Sequence, residues 1–183
     1  MSEEQAWYHS YQFPQNCVIN PDAKFGKNVK LGHFCVIEEG VIIGENTIIE
    51  NYVLLKKGTV IGDNCYIDSY VRSSGDNKIG NKCTIRFGAT IARNVTIEDN
   101  VFIAPNVMTE YSDYSGNSSK ETLIKKGVFI GTAAVLSQGV MIEEDVVVGS
   151  QAYVSNDCTV KHGIYVGVPA TFLKLKNNNK VNK

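Results

Sequence analysis

An aliphatic residue returns every six positions along most of the chain. In a first block, counted in sixes from Phe13 to Ile103, fifteen of sixteen positions are apolar and only Ser73 is polar. A second block from Ile124 to Val166 keeps the period at all eight of its positions. An α-helix repeats every 3.6 residues and a half-buried strand every two, so neither accounts for a period of six. The period predicts a β-helix, in which each hexad forms one short strand and one corner.

A second register lies four residues after each of these aliphatic positions. In the first block, small or β-branched residues fill it everywhere except at Asn77. All five cysteines fall on it, and we expect them to be small buried apolar side chains rather than metal ligands, nucleophiles or disulfides. They are Cys17, Cys35, Cys65, Cys83 and Cys158. The composition agrees with an all-β fold, because Ile and Val together number 38 against 7 Leu and 9 Ala.

The charge balance argues against polyanionic partners. The chain has 18 basic and 19 acidic residues, so no basic field attracts nucleic acid or an anionic membrane. Its start, MSEEQAW, lacks the basic and apolar regions of a signal peptide, and no stretch approaches the roughly 18 apolar residues of a membrane span. We therefore expect a cytoplasmic protein with no nucleic-acid or membrane partner.

The repeat reads as an aliphatic residue, then Gly, Ala, Asp or Glu, two free positions, a small residue and one free position. Over residues 13–171 this pattern resembles the hexapeptide-repeat acyltransferases. The runs TIEDNVFIAPNVMT at 96–109 and YVGVPATFLK at 165–174 are similar to bacterial nucleotide-sugar N-acetyltransferases. The resemblance implies an all-β fold, a left-handed parallel β-helix of hexapeptide repeats with one external loop, assembled as a homotrimer.

The expected organisation has three parts. An N-terminal segment covers residues 1–12, the β-helix covers 13–171 with its external loop at about 109–123, and a polar tail covers 172–183. Two-domain members of the family carry an N-terminal nucleotide-binding domain, whereas here the repeat begins by about residue 13. Substrate must then be held by the β-helix and its neighbours.

Glycines recur at the spacing of one coil, because three hexads make eighteen residues. One series is Gly26, Gly44, Gly62 and Gly80, and the other is Gly131, Gly149 and Gly167. The two series share a corner if the chain makes a 15-residue excursion between Ile103 and Ile124, whereas a three-residue slip would put them on different corners. Residues 110–124 are mostly polar, with four serines and a glycine, so we expect the excursion.

The resemblance places acyl-coenzyme A, as acetyl-CoA or another acyl-CoA, in a cleft between two adjacent β-helices. Small residues there would let the backbone approach the pantetheine arm, although a glycine can equally serve only a tight corner. Lys174 could bind a phosphate at the nucleotide end of the cofactor, and Lys161 and Lys176 fit that role equally well. The candidate cofactor-binding residues are Gly131, Ala133, Gly149, Ser150, Gly167, Pro169, Ala170 and Lys174.

The hexad of residues 73–78 is polar at both inward positions, Ser73 and Asn77. Since buried polar groups need partners, this strand should bend outward, bond locally, or open the wall to substrate. Arginines near such an opening would suit a nucleotide diphosphate, and asparagines could orient an amine, although surface charge and turn chemistry are the plainer readings. The candidate substrate-binding residues are Asp68, Arg72, Arg86, Asn94 and Asn106.

Acyl transfer from a thioester to an amine needs a neutral amine, donors for the oxyanion and an acceptor for the proton. Many family members use a histidine near the loop as base, but His9, His33 and His162 all lie elsewhere. The candidate catalytic residues are the carboxylates of Glu98, Glu110 and Asp113. We expect positioning of the amine to dominate, with one carboxylate at most assisting.

Three functions remain open. An N-acyltransferase acting on a nucleotide-linked amino sugar is favoured. A CoA-dependent O-acetyltransferase of a sugar or small molecule is second, since a hydroxyl normally needs a strong base and no loop histidine supplies one. A non-catalytic β-helix assembly subunit is third. A three-histidine zinc enzyme is excluded because His33 and His162 fall in different coils and columns, so we expect no metal.

Overall fold

The computed structural model describes residues 13–112, 115–117 and 120–176. These residues form strands and turns only. They are wound as a parallel β-helix, as the six-residue period predicts, and it is left-handed, as the family resemblance implies. Since the described residues contain no helix, none is long and apolar enough to cross a membrane.

Each coil contributes one strand to each of three parallel sheets. Sheet A contains β1 (Val18–Ile19), β4 (Val36–Ile37), β7 (Leu54–Leu55), β10 (Arg72–Ser73), β13 (Thr90–Ile91), β16 (Met108–Thr109), β19 (Val135–Leu136) and β22 (Tyr153–Val154). Sheet B contains β2 (Lys24–Phe25), β5 (Ile42–Ile43), β8 (Val60–Ile61), β11 (Lys78–Ile79), β14 (Val95–Ile97), β17 (Thr122–Ile124) and β20 (Met141–Ile142). Sheet C contains β3 (Lys30–Leu31), β6 (Ile48–Ile49), β9 (Tyr66–Ile67), β12 (Thr84–Ile85), β15 (Phe102–Ile103), β18 (Phe129–Ile130), β21 (Val147–Val148), β23 (Gly163–Val166) and β24 (Thr171–Leu175).

The second residue of most strands points into a dry interior. Ile67, Ile85 and Ile103 stack on one another in sheet C, and all three are fully buried. Because inward side chains of successive coils stack in this way, the interior is made mostly of Ile, Leu and Val, with Ser73 and Thr109 as polar members of the sheet A column. Burying such side chains is the main favourable term for a fold that has no second layer.

The corners repeat one backbone conformation. The third residue after the inward aliphatic residue has a left-handed φ, as at Asn46 (56°), Tyr52 (58°) and Lys82 (56°). Asparagine tolerates this conformation better than most residues and occupies it repeatedly. We name the corners by the sheets they join, so that the AB corner links sheet A to sheet B, followed by the BC and CA corners.

The external loop inserts nine residues, so the expected 15-residue excursion is wrong, as is the three-residue slip. Ile97 pairs with Ile124 and Ile103 with Ile130, which are 27 residues apart instead of 18. Counting apolar residues missed one hexad because its inward residue is Thr109, whose Oγ1 accepts a hydrogen bond from Ala92 N at 2.6 Å. The loop runs between β16 and β17.

The two glycine series therefore lie on different corners. Gly26, Gly44, Gly62 and Gly80 lie on the BC corner, whereas Gly131 and Gly149 lie on the CA corner. Gly44 is needed because coils approach closely, since a Cβ there would clash with Asp63 Oδ1 and would lie 2.7 Å from Asp63 N. Close approach, rather than a positive φ, explains this series.

The polar hexad of residues 73–78 stays inside the wall. Ser73 is 2% exposed and Asn77 is fully buried, so the strand neither bends outward nor opens. The Ser73 hydroxyl lies 2.7 Å from Thr59 Oγ1 and also bonds the Asn77 side-chain oxygen. Asn77 Nδ2 donates to the carbonyl of Ala92. Local hydrogen bonding is thus the correct one of the three expectations.

The register shortens in the last coil. Cys158 bridges to Ile142, and Tyr165 stacks on Val148, where a strict count of sixes had placed Val160 and Val166 inward. Val160 is 38% exposed, so its expected burial is wrong. β24 then folds back antiparallel on β23.

Four of the five cysteines are buried, and Cys17 is partly exposed; all five are free thiols. Burial raises the pKa of Cys35 to about 11 and the pKa of Cys158 to about 12. Both therefore stay protonated at neutral pH and behave as small apolar side chains.

Candidate active site

The CA corner brings together most of the residues that the sequence assigned to cofactor and substrate. Gly131 and Ala133 follow β18, and Gly149 and Ser150 follow β21. The candidate substrate residues Asp68, Arg86 and Asn106 follow β9, β12 and β15 on the same corner of preceding coils. One edge of the β-helix thus carries both sets.

The turns at 131–133 and 149–151, which we call the small-residue half of the CA corner, are built mostly from glycine and short side chains. Their residues are Gly, Thr, Ala and Gly, Ser, Gln, with Ser150 exposed. Gly131 admits no side chain, because a Cβ there would lie 2.5 Å from Ser150 N. A ligand lying along this half would contact mostly backbone and short side chains.

The segment from Gly167 to Ala170 lies beside the last strand of sheet A. Tyr153 N donates to Gly167 O at 3.0 Å, and Ala170 N donates to Tyr153 O at 2.7 Å. Pro169 is exposed between them, and Lys174 is exposed on β24 opposite Ile164. The structure therefore places the candidate cofactor residues Gly167, Pro169 and Ala170 at the end of sheet A. It places Lys174 on the outer strand of sheet C.

Four aromatic rings, which we call the aromatic ladder, occupy the CA corner of the earlier coils; the first three are stacked and the last pair meets edge to face. Successive ring centroids lie 5.0, 4.9 and 5.3 Å apart, and each residue is about half exposed. Nothing in the hexad count points to this feature, although aromatic residues eighteen apart at Phe34, Tyr52 and Tyr70, and seventeen further on at Phe87, were a visible signal in the sequence. The ladder consists of Phe34, Tyr52, Tyr70 and Phe87.

Arg86 forms a charged cluster next to the ladder. Its Nε lies 3.3 Å from Asp68 Oδ2, and its guanidinium carbon lies 5.6 Å from the centre of the Tyr66 ring. The Tyr66 hydroxyl donates to Glu50 Oε1 at 3.4 Å. Partial burial and the carboxylates of Asp68 and Glu50 raise the pKa of Tyr66. Asp68 and Arg86 are therefore an ion pair on this corner.

Two candidate substrate residues lie away from the CA corner. Arg72 is exposed on the outer surface of sheet A, beside Leu54 and Thr90. Asn94 lies on the AB corner with a φ of 59°, and its carbonyl accepts a hydrogen bond from Thr122 N at 3.0 Å. Asn94 thus has the turn role that was the plainer reading.

The three candidate catalytic carboxylates are in different places. Glu98 lies on the BC corner, where its Oε2 accepts a hydrogen bond from Lys126 N at 2.9 Å. Asp113 lies outside the described residues. Glu110 directly follows β16, at the end of sheet A from which the external loop leaves.

Glu110 belongs to a row of three polar side chains on the outer surface of sheet A. Ser137 Oγ lies 3.0 Å from Glu110 Oε2 and 2.8 Å from the Tyr153 hydroxyl oxygen. Tyr153 is the residue whose backbone bonds Gly167 and Ala170, so the row joins a candidate catalytic group to the candidate cofactor segment. Sequence reasoning missed Ser137 and Tyr153 because the alignment of Glu110 with Ser137 depends on the nine-residue insertion.

The described parts of the loop fold back onto the β-helix close to this row. Gln138 Nε2 donates to the carbonyl of Asn117 at 2.7 Å. The Arg93 guanidinium carbon lies 5.7 Å from the Tyr111 ring centre, which ties the start of the loop to the AB corner. Within residues 13–112, 115–117 and 120–176, no group of three or more His, Cys, Asp or Glu side chains could hold a metal ion.

The coils, corners and loop define a hexapeptide-repeat β-helix protein. The chain belongs to the family described as the GMPPB C-terminal domain, which matches residues 13–124. No curated protein sequence matches the chain.

Solved structures of hexapeptide-repeat acyltransferases share this fold. One is a single-residue variant of AntD, an N-acyltransferase from Bacillus cereus in complex with dTDP and coenzyme A, with 20% identity over 97% of this chain and 91% of that one and a TM-score of 0.62. UDP-N-acetylglucosamine O-acyltransferase (LpxA) from Moraxella catarrhalis has 19% identity, coverage of 90% and 75%, and a TM-score of 0.62. A UDP-N-acetylglucosamine acyltransferase has 18% identity, coverage of 90% and 74%, and a TM-score of 0.72.

Proposed function

We propose that this protein is an acyl-CoA-dependent N-acyltransferase that acts on the amino group of a nucleotide-linked amino sugar, with acetyl-CoA as the donor to test first. The observation that carries the proposal is the row Glu110, Ser137 and Tyr153. It connects a hydrogen-bonded carboxylate at the start of the loop, through Ser137 and Tyr153, to the Gly167–Ala170 segment. The similarity to AntD, an N-acyltransferase solved with dTDP and coenzyme A, supports the same assignment.

In this proposal the two ends of the site have different tasks. The small-residue half of the CA corner and the Gly167–Ala170 segment hold the pantetheine arm against backbone. The Asp68–Arg86 pair, on the same corner, offers a guanidinium to the diphosphate of the sugar nucleotide, because a planar guanidinium can bond phosphate oxygens in pairs. Holding the amine next to the thioester carbonyl then supplies most of the rate enhancement.

We also propose that the active form is a homotrimer. A single β-helix offers flat sides without a second layer, and the family resemblance puts acyl-CoA between two chains. Analytical ultracentrifugation should give a trimer at micromolar concentration. A monomer that retains full turnover would contradict both the trimer and a shared cleft.

A CoA-dependent O-acyltransferase is the second candidate. The observation in its favour is Glu110, because a positioned carboxylate supplies the base that the missing loop histidine left unfilled. LpxA from Moraxella catarrhalis, which shares the fold, is an O-acyltransferase.

Acetyl-CoA turnover with matched sugar nucleotides tests the proposal. The acceptors are dTDP- and UDP-linked amino sugars, each paired with the nucleotide sugar that carries a hydroxyl at the same ring position. Release of the coenzyme A thiol with amino acceptors alone, and an added acetyl group by mass spectrometry, supports N-acyl transfer. Turnover of the hydroxyl acceptors alone would favour the second candidate. A failure to bind coenzyme A in calorimetry would overturn both and leave a non-catalytic assembly subunit.

A further inference from the structure

We propose that Glu110 is the carboxylate that accepts the amine proton, and that Ser137 and Tyr153 are positioning residues that hold it through a chain of hydroxyl hydrogen bonds. This inference rests on the proposed function. It selects one of the three candidate carboxylates and adds two residues that neither the repeat nor the family resemblance indicates.

The direction of the hydrogen bonds follows from the groups involved. An ionised carboxylate can only accept, and a serine hydroxyl has a single proton. The Ser137 hydroxyl, 3.0 Å from Glu110 Oε2, therefore donates to Glu110. The Tyr153 hydroxyl, 2.8 Å from Ser137 Oγ, then donates to Ser137. Both bonds point toward the carboxylate, and such chains polarise one another cooperatively.

Glu110 is free to react where Glu98 is not. Glu98 caps the backbone of Lys126 on the BC corner, away from the candidate cofactor residues. Among the described residues, Ser137 is the one side chain that bonds Glu110, and it takes Oε2. The other carboxylate oxygen, Oε1, is left to receive a proton. Glu110, Ser137 and Tyr153 are all partly buried, which shields the hydrogen bonds between them from bulk water.

Tyr153 connects the carboxylate to the place where the thioester would lie. Its backbone N–H and carbonyl are both engaged, by Gly167 and Ala170 respectively. These two bonds fix the strand that carries the ring, so the phenol and the cofactor segment are positioned by the same residue. A displacement of the Gly167–Ala170 segment would therefore change the position of the Glu110 carboxylate, because Tyr153 and Ser137 link the two.

The step is a simple acyl transfer. The lone pair of the sugar amine forms a C–N bond to the thioester carbonyl carbon, and the C–S bond breaks with its electron pair remaining on sulfur. The proton that the nitrogen loses passes to Glu110 Oε1 and from there to the coenzyme A thiolate. The products are the N-acyl sugar and free coenzyme A, and Glu110 returns to its ionised form.

Steady-state kinetics with acetyl-CoA and the amino sugar nucleotide that the wild type turns over tests the inference. Glu110→Gln should lower kcat by about 10²–10⁴-fold, the usual worth of a general base. Ser137→Ala and Tyr153→Phe should each lower kcat by about tenfold, the worth of one hydrogen bond, with KM changed less than about twofold. Ser137→Thr keeps the hydroxyl and should recover most of kcat.

The matched control is Ser155→Ala. Ser155 occupies the same hexad position one coil further on, and its hydroxyl accepts a hydrogen bond from Asn156 Nδ2 at 3.1 Å. This variant should keep wild-type kcat and KM. Thermal melting of every variant verifies folding, and Tyr153→Phe provides the answer if Ser137→Ala does not fold.

The double variant Glu110→Gln/Ser137→Ala separates positioning from an independent role. If Ser137 acts through Glu110, the double variant should be no slower than Glu110→Gln alone. A further tenfold loss, or wild-type kcat in Glu110→Gln, would overturn the inference and leave the proposed function intact. No turnover by the wild type with any amino sugar nucleotide would instead overturn the proposed function, and the inference with it.

Discussion

The CA corner carries large aromatic rings in its first coils and mostly glycine and short side chains in its later ones, on one repeated backbone. Tyr52 in the aromatic ladder has a φ of 58°, and Ala133 in the small-residue half has a φ of 56°. The ladder residues are about half exposed, so burial does not dictate their identity. Coil packing excludes a side chain at Gly131, whereas the half-exposed ladder positions leave room for a large one, so the two halves differ in what their surroundings permit.

Both halves of the CA corner pack on the same hydrophobic interior, so a substitution that disrupts this interior should unfold both. Ile85→Asp places an unpaired charge in a fully buried column, so we expect no folded protein. The control is Thr84→Asp, because Thr84 is the partly exposed outward neighbour on the same strand. Circular dichroism and melting should show a folded Thr84→Asp variant. A folded Ile85→Asp variant would contradict the inward register.

The same bulky substitution in each half of the CA corner should affect the affinity for coenzyme A differently. Ser150→Trp fills the exposed turn of the small-residue half and should weaken coenzyme A binding at least tenfold. Ser69→Trp makes the same change at the same hexad position beside the ladder and should leave that affinity unchanged. Calorimetry on both folded variants measures the difference. Ser150 is a better site than Gly149, where a Cβ would lie 2.8 Å from Val166 Cγ1.

Removing a central ring should cost stability without affecting coenzyme A. Tyr52→Asn keeps a residue that tolerates the left-handed φ but loses ring contacts to both Phe34 and Tyr70. We expect a loss of about 1.5 kcal/mol in the free energy of unfolding, from two ring pairs. Phe34→Asn removes one stacked neighbour and should cost about half as much. Equal losses in denaturant unfolding would contradict the assignment of the loss to the number of ring pairs removed.

Alkaline pH should weaken the interior beneath the ladder. The pKa of Cys35 is raised by burial to about 11 from an ordinary value of 9.0, so its contribution is complete below pH 9 and is lost as pH rises through 11. At pH 10 the loss is about 1 kcal/mol for this thiol. Cys35→Ala, with Ala89 as precedent in the same column, should reduce the fall in stability between pH 8 and pH 10. An unchanged slope would contradict the assignment.

The interior was predictable because its signal is strictly periodic. The aliphatic column, the small second register and the buried cysteines all follow from counting in sixes, since each inward position faces the same environment in every coil. Ser73 and Asn77 kept this register although they are polar, because Thr59 and the Ala92 carbonyl satisfy them. A count by residue type alone could not reveal those partners.

The site was less predictable because it depends on insertion length and on contacts between coils. Reading Thr109 as loop rather than inward strand lengthened the excursion from nine residues to fifteen and assigned both glycine series to one corner. The same error hid the alignment of Glu110 with Ser137, 27 residues later. Asp68 and Arg86 were found by their chemistry, but their pairing needed the eighteen-residue stacking of the coils.

The eighteen-residue coil that repeats through most of the chain fixes distances along the axis of the β-helix. Each coil contacts only its neighbours and adds about 4.8 Å along the axis, so the distance between the ladder and the Glu110 row is set by the number of coils between them. Excising one whole coil, such as residues 37–54, would join Val36 to Leu55 in the same phase of the repeat. Shortening or lengthening such a chain by whole coils is therefore a route by which a β-helix can change the span of the ligand it accommodates, with its interior unaltered.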